Sequence, residues 1–260
     1  MPVDAALISF GSPVEEGNWP RPRCPRCDHS TVRFSQPHEV ESIDSARLRL
    51  HGDPDWEPLW INGAFNAAAT CQNSACGQVV FTVGTYRVDY AKRYRVDQYS
   101  RWYTVDYACP PFLLMRVPRS APIEVRDGIE RASRLLLADP GLAATGLRAT
   151  VERFLTSQGT ASRAANGGFL SAHQRINNWR ATCDAPNVAD LFMAVKWIGN
   201  SGTHEVSDLT IEEVLDGVEF LDEAFHRLFI GPDLDLRAEA VNEAKGPNRP
   251  AVPPTPGGTT

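Results

Sequence analysis

The chain has 260 residues, 42% of them hydrophobic and 22% charged, with a formal charge of -6. That length suits one sizeable domain or two smaller ones, and the acidic balance argues against a generally basic nucleic-acid binder while leaving room for a local basic face. No run approaches the roughly 18 apolar residues that would span a bilayer, and MPVDAALISFGSP has no basic leader ahead of its apolar patch, so neither a membrane span nor a signal peptide is expected.

Residues 1–20, rich in Gly, Pro and acidic side chains, read as a loose N-terminal arm. Residues 21–118 form an aromatic-rich β region. In VVFTVGTYRVDY at 79–90, Val79, Phe81 and Val83 recur at period two, and YRVDQY and RWYTVDY repeat the texture. This half reads as small antiparallel strands around a metal site.

The texture changes at Pro118, and residues 119–231 take helical spacing. Ile129, Ala132, Leu135 and Leu136 share one face, which Ala138-Asp139-Pro140-Gly141 ends. A second helix carries Leu147, Val151, Phe154 and Leu155 and stops at Gln158-Gly159. A third runs from about Gly168 through Phe169, Leu170, His173, Ile176 and Trp179. A fourth starts near Pro186 and carries Val188, Leu191, Phe192, Val195 and Ile198. The fifth opens on a capping box of Thr210 and Glu213 and lays Ile211, Val214, Leu215, Val218, Leu221, Phe225 and Leu228 in one stripe. Residues 232–260, ending in the proline- and glycine-rich GPNRPAVPPTPGGTT, read as a disordered tail. The fold class is α+β, a small antiparallel β region followed by five helices.

Four of the six cysteines form two close pairs, Cys24/Cys27 in CPRC and Cys71/Cys76 in CQNSAC. Two residues between thiolates let both sulfurs face one metal from a tight turn, and a wider knuckle accommodates the second pair. Four thiolates match the tetrahedral preference of Zn2+ and leave no open position, so a structural zinc is expected. The alternatives are a redox CxxC, for which the extended, polar NWPRPR context is wrong, unrelated thiols, or replacement of one cysteine by His29, His38 or His51. Without an export signal, this cysteine usage suits the reducing cytoplasm. Arg21, Arg23, Arg26 and Arg33 cluster near the first knuckle, either as a solvated face or as a contact for nucleic acid or an acidic partner.

WIGNSGTH at 197–204 closes the fourth helix. Asn200 and His204 are separated by three residues, and Lys196 lies one turn upstream of Asn200. Two readings stay open. Asn200 caps the helix end and His204 ties the following loop, or His204 moves a proton while Asn200 and Lys196 orient a phosphate. The HExxH, GxxxxGK, GxSxG and GxGxxG patterns are absent from the sequence, which removes the common metalloprotease, ATPase, hydrolase and dehydrogenase readings.

PPFLLMRVPRSAP at 110–122, the helical stretch at 126–159 and VKWIGNSGTHEVSDLTIEEVLDGVEFLDEAFHRLF at 195–229 resemble the DUF4145 family, over roughly residues 21–230. Its most specific motif here is the Gly-Asn-x-x-x-His core, and CPRC with CQNSAC resembles the cysteine-rich ribbon that precedes its helices. The family is similar to the HEPN superfamily, whose active members are metal-independent ribonucleases that act as dimers. The resemblance therefore implies a HEPN-like bundle behind a four-cysteine zinc ribbon. Asn200 and His204 match the polar residue and the histidine of the HEPN motif. Gly199 stands where that motif has arginine. Lys196 lies three residues early, and Arg148 or Arg180 helps only if folding brings it near. Losing one such donor costs catalysis a factor of about 10²–10³. Family members also occur beside prokaryotic defence proteins. The expected function is thus a zinc-containing binding or assembly module, accessory to defence or nucleic-acid processing, with a HEPN-type endoribonuclease as the alternative. The expected partner is a protein or a second copy through the helical domain, with RNA or DNA also open and no membrane.

Overall fold

The computed structural model describes residues 3–52, 54–92, 99–201 and 209–245. The first half is a curled antiparallel sheet of six strands: β1 (Val14–Glu15), β2 (Val32–Phe34), β3 (His38–Glu41), β4 (Asn62–Cys71), β5 (Val79–Tyr90) and β6 (Tyr99–Cys109). Their order is β1-β6-β5-β4-β2, with β3 also paired to β4. Strand alternation sets the two faces. Phe65, Ala67 and Ala69 of β4 sit opposite Gly84, Thr82 and Val80 of β5 on the buried side. Thr82 is buried yet satisfied, because its hydroxyl donates to the Ala67 carbonyl at 3.2 Å. The period-two run at Val79, Phe81 and Val83 is a strand as expected, but Phe81 and Val83 are exposed and the alternate residues Val80 and Thr82 are buried. At Gly84 the ladder to β6 shifts register. A Cβ there would lie 1.9 Å from the Thr104 carbonyl oxygen, so this close approach needs glycine.

Curling brings β3 back over β6. Glu39 accepts a hydrogen bond from the Tyr103 hydroxyl at 2.5 Å and pairs with Arg101 at 2.9 Å. Burial, then the Glu39 carboxylate, pushes the Tyr103 phenol well above its usual range, so it stays a donor. Trp19 stacks on Phe34 at 4.6 Å and approaches Tyr103 at 5.1 Å.

The N-terminal residues are packed, not loose. A 3-10 turn at Ala5–Gly11 buries Leu7 and Phe10, and Phe10 stacks on Phe112 at 5.8 Å. Between β3 and β4 lies α1 (Ile43–Leu50), capped by Ser42, where the sequence reading placed no helix.

More helices follow than the five expected: α2 (Ile123–Leu135), α3 (Pro140–Ser157), α4 (Ala172–Arg180), α5 (Val188–Ser201), α6 (Ile211–Phe229) and α7 (Gly231–Glu243). Asp139 caps α3 through the Leu142 amide, at 2.8 Å, with Pro140 pre-set in the first turn. Ser171 with Gln174, and Thr210 with Glu213, close reciprocal capping boxes on α4 and α6. Phe154 of α3 sits at the centre of the bundle, its ring 5.2 Å from Phe192, 5.7 Å from Trp179 and 5.8 Å from Phe225. Tilted and edge contacts of this kind favour one packing arrangement. α7 occupies 231–243, within the stretch read as tail, because the Pro/Gly-rich composition that disfavours helix begins only later; residues 246–260 lie outside the described residues. Buried residues of sheet and helices form one contiguous core, joined through Phe112, Leu114 and Met115. No helix among the described residues is long and apolar enough to cross a membrane.

Candidate metal centre and helical corner

The pairing of β2 with β4 assembles the cysteine cluster. Val32 is in register with Cys71, and the Gln72 amide donates to the Thr31 carbonyl at 3.0 Å, so the turn before β2 lies against the turn after β4. In the first turn the Asp28 amide donates to the Cys24 carbonyl at 3.0 Å, and Asp28 takes a left-handed φ of 56°. In the second, the amides of Cys76 and Gly77 both reach the Asn73 carbonyl, and Gly77 takes φ 60°. These tight turns aim all four thiols at one point.

The sulfurs of Cys24 and Cys76 are 3.8 Å apart, those of Cys27 and Cys71 3.7 Å, and all four lie within 4.8 Å of one another. A tetrahedron of thiolates at a metal–sulfur distance of about 2.3 Å has edges of about 3.8 Å, so the cluster could hold a metal ion. Cys24 and Cys71 are buried, and Cys27 and Cys76 are half-buried. The His29 backbone amide lowers the Cys27 thiol to about 7, and burial pushes Cys71 up to about 12. Among the described residues no histidine joins the cluster, and Cys109 and Cys183 stand apart from it. Arg116, from the segment after β6, clamps the first turn. It donates to the Arg26 carbonyl at 2.9 Å and pairs with Asp28 at 3.1 Å.

The helical corner lies where α5 crosses α3. α5 continues through Asn200 to Ser201, so Lys196 and Asn200 share a face one turn apart. Gly199 makes the close crossing possible: a Cβ would lie 2.5 Å from Arg148 Cβ and 2.8 Å from the Ala144 carbonyl oxygen. Across this gap Arg148 Nη1 donates to Asn200 Oδ1 at 2.8 Å. Arg148 also pairs with Glu152 at 3.2 Å, and Glu152 faces buried Arg175 at 3.9 Å.

Lys196 is only 8% exposed, and its ammonium lies 3.0 Å from the ring centroid of Trp197. Burial, then the Arg148 charge, lowers its pKa. Trp197 is exposed, with the His173 ring 6.4 Å away. Arg180 pairs with Asp190 instead, and Arg148 is a cation that the fold delivers to Asn200. His204 lies outside the described residues. Sequence spacing alone does not bring Arg148 to the corner, nor does it single out Glu152 and Arg175. The i, i+4 spacing of Arg148 and Glu152 on α3 was the available signal.

Two family models match the chain. Residues 130–244 match the one described as a domain of unknown function, DUF4145, and residues 12–112 match another, DUF8608. No curated protein and no solved structure matches the chain.

Proposed function

We propose that this chain, a DUF4145 protein by its residues 130–244, is a binding and assembly module in which zinc at Cys24, Cys27, Cys71 and Cys76 fastens the sheet. One observation carries this reading. The cluster supplies four thiols at tetrahedral spacing, and a four-thiolate zinc keeps no position open for water or substrate, so its role is structural. When bound, the ion would draw the four thiols into their thiolate form and lock the two turns together. The helical domain then supplies the partner surface, for a second copy or an accessory protein in a defence or nucleic-acid-processing assembly. Metal analysis of protein purified without chelator is expected to find one zinc per chain. Light scattering is expected to show a homodimer, or a complex with a co-purifying partner. Protein that folds and stays monomeric without metal would overturn the reading.

A second reading is favoured by the Arg148–Asn200 contact. In a metal-independent endoribonuclease the ribose 2′-oxygen attacks the adjacent phosphorus and the 5′-oxygen leaves, giving a cyclic phosphate. His204 would move the proton, Asn200 would orient the phosphate, and Arg148 with Lys196 would offset the developing charge. Labelled single-stranded RNA, incubated in EDTA with zinc retention checked in parallel, decides between the readings. Cleavage that is lost in His204→Ala and sharply reduced in Arg148→Ala puts this reading first. No cleavage by zinc-loaded wild type removes it.

A further inference from the structure

We propose that the cavity between residues 16–21 and 33–37 binds a nucleotide, with its phosphate on Arg21 and Arg33 and its base against Trp19. This site belongs to the sheet half and is separate from the helical corner. The cavity measures about 410 Å³, inside the roughly 300–1,000 Å³ range of small-molecule sites. It opens where the chain leaves β2 at Phe34 and turns through Ser35, Gln36 and Pro37 into β3.

Trp19 forms the aromatic wall. Its ring is half-buried, stacked on Phe34 with an interplanar angle of 15°, and flanked by Phe65 and Tyr103. A wall already fixed by packing loses little conformational freedom when a ligand stacks on it.

The charged residues of the lining are two arginines and one carboxylate, Glu16. Arg21 and Arg33 are exposed and line the cavity, and neither makes an ion pair among the described residues. The nearby carboxylates are committed elsewhere: Glu16 lies 3.5 Å and Glu39 2.9 Å from Arg101, and Glu39 also takes the Tyr103 hydroxyl. In a chain of net charge -6 this leaves two guanidinium groups outside any ion pair among the described residues, beside an aromatic ring. Guanidinium forks match phosphate oxygens, and a base fills the wall that a simple anion would leave empty. The exposed Gln36 amide adds a donor and an acceptor for a base edge. An acidic peptide would use the arginines but not the ring, so a nucleotide fits better, free or within a single strand.

The test uses full-length, metal-loaded protein. Calorimetry with adenosine monophosphate and fluorescence anisotropy with a short labelled oligoadenylate separate free nucleotide from single strand. Arg21→Ala and Arg33→Ala are each expected to weaken binding about fivefold or more, and to flatten its salt dependence by roughly one phosphate contact per arginine. Arg131→Ala, an exposed arginine of α2, is expected to change affinity less than about twofold. Three results would overturn the proposal. Neither ligand binds the folded protein. The double variant Arg21→Ala/Arg33→Ala binds like wild type. Or a glutamate-rich peptide binds in an Arg21- and Arg33-dependent way while both nucleotide ligands fail.

Discussion

Gly199 and Lys196 show how single residues bear on the corner. The crossing of α3 and α5 requires glycine at 199, because the space beside it is filled by Arg148 Cβ and the Ala144 carbonyl. The guanidinium at Asn200 comes from α3, through Arg148. Gly199→Arg is therefore expected to destabilise the protein by about 2 kcal/mol or more, as overpacking does, with no gain in RNA cleavage. Urea denaturation beside a cleavage assay checks both halves. Lys196 presents the opposite case, a buried cation next to another cation. Its folded pKa lies below the ordinary 10.5, so between the two values the unfolded chain binds more protons and stability rises with pH. Lys196→Met is expected to be at least as stable as wild type near neutral pH and to lose that rise on the approach to pH 10.5. A variant much less stable than wild type near neutral pH would contradict this account.

At the level of elements, α3 and α6 carry the bundle in different ways. α3 turns Phe154 into the aromatic centre and Arg148 toward α5. α6 buries its whole apolar stripe from Ile211 to Phe225 and starts at a reciprocal capping box, with Glu213 accepting from the Thr210 amide at 2.9 Å. That amide, then the Thr210 hydroxyl, lowers the Glu213 pKa. A depressed carboxylate contributes stability above its unfolded pKa, near 4.5, and loses it as pH falls through the folded value. Thr210→Ala is expected to cost about 1 kcal/mol near pH 7. Glu213→Gln should cost less, with its deficit shrinking below about pH 4. Chemical denaturation at both pH values tests this, and a Glu213→Gln deficit that grows in acid would count against it. The box was legible in the sequence because its partners are three residues apart. α1 and α7 were not, since α1 exposes Ile43, Leu48 and Leu50 and α7 buries nothing, so neither leaves a clean amphipathic stripe.

Over the whole molecule, one core ties the N-terminal turn, the sheet and the bundle together through Phe10, Phe112, Leu114 and Met115. Such continuity favours a single cooperative transition. Cys71→Ser, or exhaustive chelation, is therefore expected to lower the melting temperature seen by far-ultraviolet dichroism of the helices as well as by tryptophan fluorescence in a Trp179→Phe/Trp197→Phe background, which reports the sheet half alone. If the cluster holds a metal as proposed, loss of one of its four thiols should lower metal affinity by more than the roughly 10–100-fold that loss of a hydrogen-bonding partner of a ligand costs. Separate transitions, with the helical signal unmoved by chelation, would show that the two halves unfold independently.

Local spacing was enough to identify what neighbouring residues decide: the two cysteine pairs, the break between helices at Asp139-Pro140, the capping box at Thr210 and the apolar stripe of α6. These features repeat or terminate within a few residues, so their physics is contained in the sequence. The tertiary structure decided what depends on distant partners. It chose Val80 over Phe81 for the inner face of β5, because the alternation of β4 sets which side is covered. It closed the cysteine cluster across the 44-residue separation of Cys27 and Cys71. It also brought Arg148 to Asn200 across 52 residues, because Gly199 lets two helices approach more closely than any side chain would allow.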